Sequence, residues 1–216
     1  MSVMKLFLDT AEVSEVHKHF ATGLIDGVTT NPTLIRKSGR KPQDVYRELK
    51  LLGVKDISME IVGDAPFIVS EAHKLQEEFG DVTTIKVPCS PQGLLACKEL
   101  SRELIRTNVT LIFSAAQAIL AAKSGATYVS PFVGRCDDNS VAGLEVIRSI
   151  AELYGRQGVR TQILSASIRD VYKVTRSFYN GAHIVTMPPT IFEKMYDHVL
   201  TREGLKQFDI DWAEYQ

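Results

Sequence analysis

Cysteine is scarce: Cys89, Cys97 and Cys136 are the only three in 216 residues, and none forms a CxxC pair. An odd, scattered set argues against a disulfide framework and against a zinc knuckle. No apolar run approaches the ~20 residues a membrane-spanning helix needs, and the first residues lack the charged-then-apolar layout of a secretory leader. There is no charge excess either: 25 Lys and Arg face 26 Asp and Glu, a net charge of −1, so no global field draws nucleic acid or a membrane surface. The five histidines form no HxxxH pair, and His17 and His19, two apart, would face different sides of a helix. Low-complexity linkers and tandem repeats are missing too. These absences leave a cytoplasmic protein without metal or cofactor, organised as one domain over residues 1–216.

What is present is alternation. Short apolar runs read as strands at Lys5–Asp9, Gly27–Thr30, Ile57–Val62, Thr83–Val87, Val109–Phe113, Thr127–Val133, Thr161–Ser165 and His183–Met187. Longer segments of helical spacing separate them: one from near Thr10, then Pro42–Leu52, Pro66–Phe79, Gln92–Arg106, Ala115–Lys123, Val141–Tyr154, Asp170–Phe178 and Ile191–Leu200. Thr10 would supply a capping hydroxyl to the first helix, and Pro42 opens its helix where a missing N–H costs nothing. Strand–helix units in this order imply parallel strands joined by helical crossovers. The sheet can be open and doubly wound or closed into a barrel. The count of eight favours a single (β/α)8 TIM barrel. So does TTIKV, where Ile85 and Val87 point one way and Thr84 and Lys86 the other. An apolar outer face and a partly polar lumen suit a barrel better than an open sheet with two greasy faces.

Barrel enzymes gather their chemistry at the C-terminal strand ends. Those ends hold Asp9, Asn31, Glu60, Lys86, Thr110, Ser130 with Phe132, and Ser167 with Arg169. Lys86 is either a lysine snorkelling from an outer strand end or a nucleophilic amine whose burial disfavours the ammonium form. Asp9 is either a helix cap or a proton acceptor, and Glu60 either a salt-bridged glutamate or an acid–base group. Arg135 and Arg169, after strands six and seven, are surface arginines or a bidentate phosphate clamp. The cluster Arg36-Lys37-Ser38-Gly39-Arg40-Lys41 reads as a solvated loop. Cys89 and Cys97 read as packed thiols, since no histidine partner is apparent.

The segments LFLDTAE, GVTTNPTLI, TIKVP, NVTLIFSAAQA, SPFVGR and SASIRD, in this order from about Lys5 onward, resemble the transaldolase family, and most closely its small subfamily, which includes fructose-6-phosphate aldolases. The resemblance implies a class I aldolase-like barrel that moves a dihydroxyacetone unit from fructose 6-phosphate or sedoheptulose 7-phosphate to glyceraldehyde 3-phosphate or erythrose 4-phosphate, as in the pentose phosphate pathway. It implies Lys86 as the Schiff-base lysine, Glu60 as the acid–base group acting through a water that Thr110 helps hold, and Asp9 as acceptor of the C4 hydroxyl proton. It further implies Asn31 and Ser130 on the dihydroxyacetone portion, and Arg135, Ser167 and Arg169 on the phosphate. Aldolases of the subfamily carry glutamine and tyrosine where Glu60 and Phe132 stand, so this sequence sides with the transferases; an aldolase and a non-catalytic sugar-phosphate-binding barrel are the alternatives. The tail from about residue 201 to 216, with Phe208, Trp212 and Tyr215, is either a helix folded on its own barrel or, as the resemblance implies, an arm swapped onto a neighbour in a pentamer or decamer.

Overall fold

A computed structural model describes residues 4–215. The eight strands are β1 (Lys5–Asp9), β2 (Gly27–Thr29), β3 (Ile57–Glu60), β4 (Thr83–Pro88), β5 (Thr107–Ile112), β6 (Tyr128–Pro131), β7 (Gln162–Ser165) and β8 (Ile184–Met187). Each pairs in parallel with the next, and β8 returns to β1 through Lys5↔Ile184 to Leu8↔Met187, closing the expected barrel. The helices are α1 (Val13–Phe20), α2 (Pro32–Ser38), α3 (Pro42–Leu51), α4 (Ala65–Phe79), α5 (Pro91–Arg102), α6 (Ala115–Lys123), α7 (Val133–Asp138), α8 (Gly143–Gln157), α9 (Val171–Tyr179), α10 (Pro189–Lys194) and α11 (Val199–Ala213). No helix among the described residues is long and apolar enough to cross a membrane.

Side-chain alternation divides the interior into two cores. The larger lies between strands and helices and includes Leu8, Val28, Met59, Ile85, Val87, Val109 and Val129. The smaller fills the lumen with Phe7, Tyr128, Leu164, Ala166 and Ile184. Phe7 explains one glycine: a Cβ on Gly27 would lie 2.6 Å from its ring. At the N-terminal end of the lumen the Tyr128 hydroxyl donates to Asp56 at 2.7 Å, and Arg106 pairs with the same carboxylate at 3.0 Å. Burying that charge is compensated by three donors, since the Thr84 hydroxyl adds a bond at 2.8 Å.

Several local expectations are corrected. Helix α1 begins at Val13, and the Thr10 hydroxyl accepts from Glu12 N–H in the preceding turn instead of capping the helix. The expected Gln92–Arg106 helix stops at Arg102, Leu104 turns left-handed at φ 62°, and β5 starts at Thr107. Phe132 still bridges to Ala166, and the residues after it leave the sheet and form α7 before the expected helix begins. Ile191–Leu200 is not one helix: α10 ends at Lys194 and α11 starts at Val199. α11 buries none of its residues, and Phe208, Trp212 and Tyr215 are 69%, 68% and 89% exposed, so the tail is helical but is not folded onto its own barrel. In the basic cluster Arg40 pairs with Glu48, and α2 ends on Gly39 at φ 68°.

Candidate active site

β4 presents Lys86 to the lumen because its neighbours Ile85 and Val87 are taken by the outer core. The side chain is 5% exposed; its Nζ donates to the Thr30 carbonyl at 2.8 Å and lies 2.9 Å from Glu60 Oε2. Glu60 stands directly across the ladder from Lys86, which fixes the pair by strand register. The snorkelling reading of Lys86 is therefore excluded, and the salt bridge of Glu60 is made inside the site.

Asp9 ends β1 and lines the same cavity as Lys86. Its Oδ1 accepts from the Thr29 hydroxyl at 2.7 Å, and the cap position of α1 belongs to Glu12, so Asp9 is not a helix cap. Burial pushes its carboxyl above the ordinary aspartate value, against the smaller opposing pulls of the Lys86 charge and the Thr29 hydroxyl. A raised carboxyl is a stronger proton acceptor once ionised.

The cavity measures about 110 Å³ and is lined by Asp9, Thr29, Asn31, Lys86, Ser130, Phe132, Arg135, Leu164, Ala166, Ser167 and Thr186. Among the larger clefts, one of about 550 Å³ lies at the opposite end of the barrel and one of about 800 Å³ between α4 and α5. Neither is built from C-terminal strand ends, where barrel chemistry collects. Asn31 serves twice: its Oδ1 caps α2 by accepting from Leu34 N–H at 2.9 Å, which leaves its NH₂ for a ligand. Phe132 receives the Arg135 guanidinium over its ring at 4.9 Å and an edge contact from Phe113.

Thr110 sits where β5 shifts register between Val109 and Ile112, next to Leu111 at φ 60°. Its Oγ1 is buried and has no hydrogen-bond partner among the described residues. Such an orphan hydroxyl carries a desolvation cost that a bound molecule could relieve. Ser167 is left-handed at φ 58°, and Gly134 N–H donates to its carbonyl at 3.0 Å; a Cβ on Gly134 would meet that oxygen at 2.3 Å. Arg169 is placed differently from Arg135. It forms a bidentate pair with Asp138 and does not line the cavity.

Some polar lumen residues escaped the sequence reading. Asn108, fully buried opposite Lys86, accepts from Ser130 Oγ at 2.6 Å and donates to Ser58 Oγ at 3.2 Å, orienting the serine. Thr29 and Thr186 share a hydrogen bond of 2.7 Å beneath Asp9. The signal for Asn108 was its spacing of two from Thr110, which puts both on one face of β5. Cys97 is a packed thiol as expected, its pKa pushed up to about 11 by burial. Cys89 is half-buried and also raised by burial.

The family model for transaldolase/fructose-6-phosphate aldolase matches residues 6–216. Probable transaldolases of Paracoccus denitrificans and of Anaeromyxobacter are 46% and 47% identical over 98% of this chain and 97% and 98% of theirs. One from Geobacillus thermodenitrificans is 42% identical over 99% of this chain and all of its own. A solved structure of a flavocytochrome b2 variant with sulfite bound superposes with a TM-score of 0.64 at 12% identity, covering 90% of this chain and 59% of that one, which speaks for the barrel fold alone. Full-length matches at this identity leave one assignment: the chain belongs to the transaldolase/fructose-6-phosphate aldolase family.

Proposed function

We propose that this chain is a transaldolase that carries dihydroxyacetone as an enamine on Lys86 between phosphorylated sugars. The observation that carries the reading is the buried Lys86 amine, 2.9 Å from Glu60 and in one cavity with Asp9. Lys86 passes its ammonium proton to Glu60, 2.9 Å away, the neutral amine adds to the C2 ketone of fructose 6-phosphate or sedoheptulose 7-phosphate, and the carbinolamine loses water as Glu60 returns that proton through a water held at Thr110. The resulting iminium accepts the electron pair of the C3–C4 bond as Asp9 takes the C4 hydroxyl proton. An aldose phosphate leaves. The enamine then attacks the carbonyl of glyceraldehyde 3-phosphate or erythrose 4-phosphate, Asp9 returns its proton to the new alkoxide, and hydrolysis frees Lys86. Asn31 and Ser130 hold the three-carbon unit, with Asn108 aligning Ser130.

Phe132 supports transfer over release. A phenyl ring has no proton to give the enamine, so the intermediate persists until an acceptor aldehyde arrives. Arg135 and Ser167 take the phosphate, and Arg169 joins them on exchanging Asp138 for the ligand. Three free thiols suit a cytoplasmic enzyme. The exposed aromatics of α11 suit packing against another copy in a homo-oligomer.

Borohydride with fructose 6-phosphate should fix a three-carbon adduct on Lys86, located by peptide mass mapping; label on another lysine, or none, refutes the Schiff base. Steady release of dihydroxyacetone without an acceptor would make the protein an aldolase. Sedimentation of a chain ending before Phe208 should show smaller assemblies than the full chain.

A further inference from the structure

Helix α1 carries Glu15 and His19 one turn apart, and α10 brings Glu193 against them from the far end of the chain. His19 is 5% exposed, its ring edge-on to Phe192 with centroids 5.2 Å apart. Its Nε2 is buried and has no hydrogen-bond partner among the described residues. That nitrogen faces Glu193 Oε1 at 3.5 Å and Glu15 Oε2 at 3.8 Å, too far for a hydrogen bond, and all three donor atoms lie within 4.8 Å of one another. Ligands about 2.0–2.2 Å from a tetrahedral ion lie roughly 3.3–3.6 Å from each other. The spacing thus falls short as hydrogen bonding but nearly matches two edges of a coordination tetrahedron.

We propose that Glu15, His19 and Glu193 bind one divalent cation of the zinc type. One imidazole and two carboxylates suit a borderline ion, whereas magnesium and calcium favour oxygen-only shells. The carboxylates, 44% and 42% exposed, can close the remaining distances, their own separation included, by rotamer adjustment. A fourth position stays open to solvent. Lys18 is the competitor: its ammonium contacts Glu193 Oε1, but the side chain is 61% exposed and can swing into water when a dication arrives. The ion would tie α1 to α10 at the seam where the barrel closes. Through Phe192, edge-on to Tyr196 at 5.5 Å, it would also stiffen the root of α11.

The test titrates chelator-treated full-length protein with Zn²⁺ by calorimetry and with Co²⁺ by visible absorption. We expect one Zn²⁺ per chain, intense cobalt bands of a four- or five-coordinate ion, and no competition by Mg²⁺. Glu15→Gln and Glu193→Gln, both exposed enough to spare the fold, should each weaken binding by about 10-fold or more, and Lys18→Ala should tighten it. A hundredfold excess of Zn²⁺ over its Kd should raise the wild-type Tm by roughly 5–10 °C and leave the E15Q/E193Q protein unmoved. Equal affinity in wild type and E15Q/E193Q, the pale spectrum of a hexa-aquo cobalt ion, or unchanged affinity in Lys18→Ala overturns the site. None of these readouts depends on catalysis at Lys86.

Discussion

Replacing Lys86 by methionine keeps the volume of the stem and removes the ammonium group, so its effect on stability can be worked from the contacts of the amine. Glu60, 10% exposed at its side chain, loses the cation 2.9 Å away, and the Thr30 carbonyl loses its 2.8 Å donor. Breaking a buried ion pair from one side costs about 3–5 kcal/mol, and an orphaned carbonyl adds roughly 1 kcal/mol or more. Lys86→Met should therefore unfold at lower urea by roughly 4–6 kcal/mol, even though lysine is the polar residue and methionine the apolar one. Adding Glu60→Gln removes the stranded carboxylate, and the double variant should regain about 2 kcal/mol or more relative to the single one. Urea equilibria followed by far-ultraviolet circular dichroism on the four proteins of the cycle give both numbers. A Lys86→Met protein within about 0.5 kcal/mol of wild type, or a cycle without coupling, would refute the picture of a tightly paired amine in the lumen.

Asp9→Asn should lower turnover by about 10²–10⁴-fold. Because burial raises the Asp9 carboxyl, its contribution to stability is present below the unfolded value of 3.8 and is lost as pH rises through the folded value; the urea midpoint of Asp9→Asn should therefore gain on wild type as pH rises through that window, and an opposite slope contradicts the assignment. Thr110→Val exchanges an orphan hydroxyl for a methyl, so stability should hold or increase while kcat falls about 10-fold or more; a destabilised variant of unchanged kcat argues against a role in the reaction. Asp138→Asn should free Arg169 and lower KM for a phosphorylated acceptor, leaving KM for unphosphorylated glyceraldehyde unchanged; identical shifts for both acceptors would disprove the clamp. Gly134→Ala drives a Cβ to 2.3 Å from Ser167 O and 2.8 Å from Arg169 Nε, and should cost about 1–3 kcal/mol in urea unfolding.

The barrel, and the gathering of most candidate residues at one end of it, were legible because strand periodicity is a local property. In TTIKV the alternation alone puts Lys86 on the face opposite Ile85 and Val87, and the ladder then sets Glu60 beside it. What was not legible depends on partners distant in sequence or on the direction of the chain after an element ends. Arg169 follows β7 as expected, yet the acid it meets, Asp138, sits on α7, a helix whose six residues carry no periodic signal of their own. Apolar spacing ran the fourth long helix through Ile105, because nothing in Glu103-Leu104-Ile105 announces the left-handed Leu104 that ends it. The tail shows the same limit: its sequence marks it by Phe208, Trp212 and Tyr215, but whether those aromatics meet their own barrel is settled only by where Met195–His198 turn the chain.

The hydroxyls beneath Asp9 fit the proton transfer proposed for it, because they can orient the carboxyl without moving the backbone. Thr29 has one hydroxyl proton and two close partners, Asp9 Oδ1 and Thr186 Oγ1, each at 2.7 Å. When Asp9 is ionised it can only accept, so Thr29 must donate to it and Thr186 must donate to Thr29. When Asp9 holds a proton it can donate it to the substrate oxygen while keeping the same Oδ1 in place as acceptor. The carboxylate is thus oriented in both states by one chain of hydroxyls anchored on β2 and β8, the strands flanking β1. Serine at Thr29 could keep the bond but not the stiff β-branched rotamer; valine would leave the half-buried carboxylate without its hydroxyl donor. Under the proposed mechanism the threonine pair acts by orienting Asp9, and neither hydroxyl need exchange a proton with substrate.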